Sequence, residues 1–256
     1  MKYGFIGFGN LANSISKGLL KSNSIDKMAY VSKTNKHSQI QACKNLQELV
    51  SFADIILICV KPIDLETVLL QLKESDLSQK LIVSTVAAKD SNYIRNILGS
   101  KTQIVRIMPN LAIAYELSVT ALATDVQDSA LLDRLKVDLK KLGALVEIPE
   151  DSLHRFTALF GSGPAFLLKF LQIFDLASKA MQLSEQERFQ MINLLCMGTL
   201  AFWEHNRDTS STEDLINRVA SKKGVTEAGL CKWNQSKLDT LLLDVLKAAE
   251  NRSEKM

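Results

Sequence analysis

Gly7, Gly9 and Ala12 stand in the spacing G-x-G-x-x-A, directly after the apolar run Tyr3–Ile6. A stretch follows, Leu11 to Leu20, whose Leu11, Ile15, Gly18 and Leu19 share one helical face. A turn between strand and helix is the setting a dinucleotide phosphate site needs. The first glycine permits the tight turn, the second lets the backbone approach a pyrophosphate, and the small third residue allows close helix–strand packing. The phosphates would meet open N–H groups at the helix N-terminus, with Phe8, Asn10 and Leu11 beside them. A glycine-rich turn without a ligand would share this spacing; its place after the first strand of a βαβ series favours the site.

The residues after the second expected strand bear on which dinucleotide. An NAD site normally carries an Asp or Glu there for the ribose 2′-OH, whereas neutral and basic groups accommodate a 2′-phosphate. This chain has Ser32-Lys33-Thr34-Asn35-Lys36, with hydroxyl and ammonium donors and no carboxylate. A solvated basic loop would look the same, but the missing acid points to NADPH, with NADH as the alternative. His37, His154 and His205 lack metal-ligand spacing, and no metal is expected. Cys43, Cys59, Cys196 and Cys231 form no C-x-x-C pair, as expected of free thiols in a reducing compartment.

These residues need a sheet to position them. Strands are predicted at 3–6, 28–31, 55–60, 81–86, 104–108, 119–123 and 145–148, with a helix over about 127–142 between the last two. Strands alternating with helices predict a parallel, doubly wound α/β sheet of the Rossmann type. After Pro149 the periodicity is helical throughout. Leu167, Phe170, Leu171, Phe174 and Ala177 form one apolar stripe, and Met191, Leu194, Leu195, Met197, Leu200 and Ala201 a second that is apolar nearly all round. The 256 residues therefore divide into an NAD(P)-binding domain, 1–150, and an all-helical domain, 151–256. Apolar helix in that quantity predicts burial against a second subunit.

The formal net charge of +3 makes no case for a nucleic-acid partner, which would need clustered basic residues. The longest uninterrupted apolar run, Ile55–Val60, is far short of the ~20 residues that span a bilayer. The expectation is a soluble cytoplasmic protein without a membrane partner.

Four blocks, Phe5–Ala12, Val60-Lys61-Pro62, Arg106-Ile107-Met108-Pro109-Asn110 and Gly161-Ser162-Gly163-Pro164-Ala165-Phe166, resemble the pyrroline-5-carboxylate reductases in sequence, order and spacing across almost the whole chain. The resemblance implies reduction of the cyclic imine of 1-pyrroline-5-carboxylate to L-proline, the last step of proline biosynthesis. It implies a homodimer through interlocked helical domains, open to further assembly. Asn45 would approach the adenosine side of the cofactor, and Val60-Lys61-Pro62 the ribose and phosphates. Ser84 to Ala87 would form the wall beneath the nicotinamide, and Met108 and Asn110 would border its reactive face. Ser221, Gly224, Val225 and Thr226 would hold the substrate carboxylate, with the Thr226 hydroxyl, the implied catalytic group, facing the ring nitrogen.

The family's substrate loop commonly reads S-P-G-G-T-T, whereas this chain has Ser221-Lys222-Lys223-Gly224-Val225-Thr226. A lysine replacing a glycine of positive φ would cost about 1 kcal/mol. Leu111-Ala112-Ile113-Ala114-Tyr115 and Val86-Ala87-Ala88 also depart from the usual continuations. One alternative is therefore a catalytically impaired NADP-binding paralogue of the same fold. Another is a β-hydroxyacid dehydrogenase, whose Lys and Asn four apart are not met here, because Lys169 is followed at that offset by Ile173.

Overall fold

The computed structural model describes residues 1–22, 27–33, 39–87 and 89–255. Thr34, Asn35, Lys36, His37 and Ala88 lie outside them.

The chain opens with β1 (Lys2–Ile6), α1 (Asn10–Lys21), β2 (Lys27–Val31), β3 (Gln41–Ala42), α2 (Leu46–Phe52) and β4 (Ile55–Ile58). It continues through α3 (Pro62–Leu72), β5 (Leu81–Ser84), α4 (Ser91–Leu98), β6 (Gln103–Met108), β7 (Ser118–Thr124), α5 (Ala130–Lys140) and β8 (Gly143–Glu147). These strands form one eight-stranded sheet in the order β3-β2-β1-β4-β5-β6-β7-β8. The expected Rossmann-type sheet is present. Sequence patterning missed β3, whose two exposed residues carry no apolar run. All neighbouring pairs are parallel except β6 with β7. Their connection holds only a 3₁₀ turn, Leu111–Tyr115, and lacks the dozen or more residues a parallel crossover needs.

Alternation along each strand feeds two cores. Phe5, Leu57, Val83, Val105 and Ile107 pack with residues of α1 and α5 on one face. Ile6, Ile56, Ile58, Ile82 and Ile104 pack with α2, α3 and α4 on the other. Burial on both faces is why these strands read as continuous apolar runs rather than as alternation. A polar anchor lies inside: the Tyr3 hydroxyl donates to Asp138 Oδ2 at 2.9 Å, and Arg134 Nε donates to the same oxygen at 2.8 Å. Burial first, and then the Asp138 charge, push the Tyr3 phenol well above its ordinary range.

After β8 a continuous helical run begins with a 3₁₀ turn, Glu150–Ser152, followed by α6 (Leu153–Phe156), a π-helical turn Thr157–Gly161 and α7 (Gly163–Ser178). By length and composition, Glu150–Ser178 is long and apolar enough to cross a membrane. Its first residues belong to the sheet unit. Leu153 and Phe156 join Met108, Ala121 and Ala123 in a third cluster, and the compact units are Met1–Pro164 with Ala248–Met256, and Ala165–Lys247. The division by contacts thus falls some fourteen residues beyond the change of periodicity at 150, because this stretch is helical yet packs on strands.

The second unit holds the rest of α7, α8 (Glu185–Asn206), α9 (Thr212–Val219), α10 (Val225–Gln235) and most of α11 (Leu238–Glu254). Reciprocal capping boxes start α8, through Ser184 and Glu187, and α9, through Ser211 and Asp214. No residue of α8 is buried, and Phe189, Met191, Leu194, Leu195, Met197, Leu200 and Trp203 are exposed. A helix this apolar has a face that a single chain leaves uncovered.

Candidate functional site

Within the first unit, the parallel strands end at one edge, in register: Ile6 pairs with Val31 and Ile58, Ile58 with Ser84, and Ser84 with Arg106. The sheet grows outward in opposite directions from β1 and β4, so the crevice outside these ends is a topological switch point. Backbone bonds lace the rim beyond the strands. Gly7 N donates to Val31 O at 2.8 Å, Cys59 N to Ile6 O at 2.8 Å and Thr85 N to Ile58 O at 3.1 Å.

The opening turn is shaped by its two glycines. Gly7 has φ +82, and a Cβ there would lie 2.8 Å from both Cys59 O and Val60 Cγ1. Gly9 has ordinary φ and a Cβ there would meet nothing within 4 Å, so open space faces the start of α1. The α1 N-cap makes no side-chain cap bond and the first turn carries no acid. Open space, uncapped N–H groups and a positive helix end fit a pyrophosphate. Asn10 is exposed and Leu11 half-buried. Phe8 is core: its ring packs edge-on against Phe5 and tilted against Tyr30, which leaves its backbone, not its ring, for a ligand.

Several of the residues expected at the site also make bonds or contacts inside the protein. Ser84 is fully buried and its Oγ accepts from Val86 N at 3.2 Å. Met108 is buried against the helical run. Asn110 caps the 3₁₀ turn through Oδ1 and donates from Nδ2 to Phe160 O at 3.1 Å. It therefore ties the end of β6 to the π-helical turn. Asn45 caps α2, accepting from Glu48 N at 2.9 Å. The sequence signal for that role was present, since Asn45-x-x-Glu48 has capping-box spacing. Ser32 and Val60 are half-buried on the rim, Lys33 and Lys61 are exposed, Pro62 opens α3, and Ala87 is half-buried. Burial pushes the Cys59 thiol up to about 12 against an opposing hydrogen bond with Thr85, so it stays protonated at neutral pH and offers no nucleophile.

Sequence reasoning missed the ion pairs of this unit, two of which stand near the strand ends. Lys33 Nζ lies 2.7 Å from Asp64 Oδ1 in the first turn of α3. Arg106, 2% exposed, donates to Glu150 Oε1 at 2.9 Å and to Val86 O at 3.3 Å, while Ser91 N and Oγ donate to the same Glu150 oxygen at 2.8 and 3.0 Å. This brace joins β6, the start of α4, the turn after β5 and the start of the helical run.

In the second unit, Ser221–Thr226 leads into α10. Gly224 is the N-cap with no side-chain cap bond, its N–H donates to Ser221 O at 2.9 Å, and Val225 and Thr226 are the first helical residues, both exposed. The helix start can receive a carboxylate. Lys223 adopts φ +59, the left-handed conformation anticipated for the place where the resembled loop S-P-G-G-T-T has glycine. Its N–H donates to Glu227 Oε2 at 2.6 Å, a carboxylate already taking one loop amide. Lys223→Gly is expected to raise unfolding stability by up to about 1 kcal/mol, read as a higher urea midpoint at unchanged slope.

Residues 150–256 match the family described as pyrroline-5-carboxylate reductase dimerisation, and residues 2–88 match NADP oxidoreductase coenzyme F420-dependent. A pyrroline-5-carboxylate reductase of Staphylococcus saprophyticus is 31% identical over 99% of this chain and 97% of that one. The chain belongs to the pyrroline-5-carboxylate reductase family. A Staphylococcus aureus reductase of the same name is 30% identical over the same shares. Membership sets aside the β-hydroxyacid dehydrogenase alternative and makes the chain one of a family of oxidoreductases. Solved reductases share the fold. A Plasmodium falciparum pyrroline carboxylate reductase with NADP bound superposes with a TM-score of 0.94 at 22% identity, over 100% of this chain and 97% of that one. A Streptococcus pyogenes 1-pyrroline-5-carboxylate reductase gives 0.88 at 24% identity, over 100% and 99%. Among the described residues, this reductase-family chain has no cluster of three His, Cys, Asp or Glu that could hold a metal ion.

Proposed function

We propose that the chain reduces 1-pyrroline-5-carboxylate to L-proline with NADPH, as a cytoplasmic homodimer. The observation that carries this reading is identity above 30% to a reductase of that name across nearly the full length of both chains. The nicotinamide supplies the hydride for the C=N carbon. The chain binds, orients and protonates. Gly7, Gly9, Asn10 and Leu11 hold the pyrophosphate through the turn and the α1 N-terminus, with the Phe8 backbone alongside. Ser32, Lys33 and Thr34 receive the 2′-phosphate; Asn45, Val60, Lys61 and Pro62 border the adenosine and ribose. Thr85 to Ala87, with the backbone at Ser84, Met108 and Asn110, shape the nicotinamide end. Ser221, Gly224, Val225 and Thr226 hold the substrate carboxylate at the start of α10, and Thr226 Oγ1 or a water it orders gives the imine nitrogen its proton. As hydride adds to carbon, the C=N π pair becomes the new N–H bond, leaving the secondary amine of proline.

The functional division proposed is a cofactor domain, 1–150, and a substrate-binding and dimerisation domain, 151–256. The match of 150–256 to a dimerisation family and the uncovered apolar face of α8 support pairing through the helical domain. A second copy, rather than a membrane or nucleic acid, is the partner proposed for that face, and assembly beyond the dimer is open to the same helices.

Thr226→Ala is expected to lower kcat by about ten- to a hundredfold, below the full range for a general acid because water can stand in. NADPH affinity should stay within twofold. The readout is NADPH oxidation with 1-pyrroline-5-carboxylate, beside a binding titration. A wild-type chain that binds NADPH yet shows no substrate-dependent oxidation would instead favour the impaired paralogue. A higher kcat/KM with NADH would overturn the cofactor assignment.

A further inference from the structure

Lys33 and Asp64 come from different elements. Lys33 stands two residues beyond β2, and Asp64 in the first turn of α3, after β4. In the sheet β1 separates β2 from β4, so the two strand ends lie about 10 Å apart. The long lysine stem closes that gap, and Nζ reaches Asp64 Oδ1 at 2.7 Å. The pair thus bridges the strand ends on either side of the Gly7–Asn10 turn. It also supplies, from α3, the carboxylate that the segment after β2 lacks.

We propose that Asp64 is a specificity-determining residue for the cofactor, acting as a positioning residue that competes with a ligand 2′-phosphate for Lys33. This rests on the reading that the crevice takes NADPH. The Lys33 side chain is 87% exposed and that of Asp64 36%, and exposed pairs of this kind are weak. A phosphomonoester carries between one and a half and two negative charges at neutral pH (about −1.5 to −2) and three acceptor oxygens. It therefore draws the ammonium from a single carboxylate. A ribose hydroxyl has no charge to do so, and Lys33 then stays on Asp64. The carboxylate lowers affinity for a 2′-phosphate by holding its binding partner, and it leaves the unphosphorylated ligand untaxed.

The test is calorimetric titration of the full chain with adenosine 2′,5′-bisphosphate and with adenosine 5′-monophosphate. Asp64→Asn is expected to tighten the bisphosphate about three- to fivefold, the size of an exposed pair, and to leave the monophosphate within twofold. Lys33→Gln should weaken the bisphosphate, and in that background Asp64→Asn should gain less than twofold, because the competition runs through the ammonium. A merely structural role would move both ligands together. Unchanged or weaker bisphosphate binding in Asp64→Asn, or a gain undiminished without Lys33, would overturn the proposal. Equal wild-type affinity for the two probes would overturn the NADPH reading on which it stands.

Discussion

Arg106→Ala is expected to remove about 3 kcal/mol of unfolding stability, the low end of the range for breaking a buried ion pair. Arg106 is 2% exposed and Glu150 30%, so the orphaned carboxylate recovers some water and keeps its two Ser91 donors. Val86 O loses a donor and a long side chain leaves a void between β6 and the turn after β5. Arg95→Ala is the control. Its partner Asp125 is 67% exposed, and the change should stay within about 1 kcal/mol. Urea unfolding at one fixed protein concentration gives both numbers, since the midpoint of the proposed dimer would move with concentration. Equal small losses at the two sites would show that the brace does not hold the helical run to the sheet.

Gly7→Ala should weaken NADPH binding about a hundredfold and lower the Tm. The left-handed backbone costs a non-glycine residue about 1–2 kcal/mol. The new methyl would also meet Cys59 O, a backbone atom of the neighbouring strand end, at 2.8 Å. The turn must move, and with it the N–H donated to Val31 O. Gly9→Ala separates folding from binding. Its Cβ meets nothing, so the Tm should not change, while the methyl occupies the space proposed for the pyrophosphate and weakens NADPH at least tenfold. Gly9→Ala with wild-type affinity would remove the pyrophosphate from that space.

The parts of this fold legible in the sequence were those with a local cause. Ile55–Val60 announces a strand buried on both faces, of which Ile55–Ile58 is strand, and Gly7-x-Gly9-x-x-Ala12 announces a turn between strand and helix. Position along the chain does not say which way a side chain points, however. Phe8, Ser84 and Met108 lie at the crevice in sequence yet send their side chains into the core. Asn45 and Asn110 are expected beside the cofactor only through the resemblance, and their Oδ1 atoms also cap the starts of α2 and the 3₁₀ turn. Leu153 and Phe156 have helical periodicity but pack against strands, so the change at Pro149 marks a change of secondary structure rather than the limit of a compact unit. The Lys33–Asp64 and Arg106–Glu150 pairs join residues 31 and 44 positions apart; no local pattern contains them. Lys223 was legible only through resemblance, because a lysine gives no sign of positive φ by itself.

The most direct measurement of the proposed reaction uses NADPH carrying deuterium at both nicotinamide C4 positions, incubated with 1-pyrroline-5-carboxylate and the full chain. Hydride transfer to the C=N carbon is expected to yield L-proline with one deuterium, on C5, in step with NADPH consumption. Unlabelled proline, or no substrate-dependent consumption by a chain that binds NADPH, would contradict it.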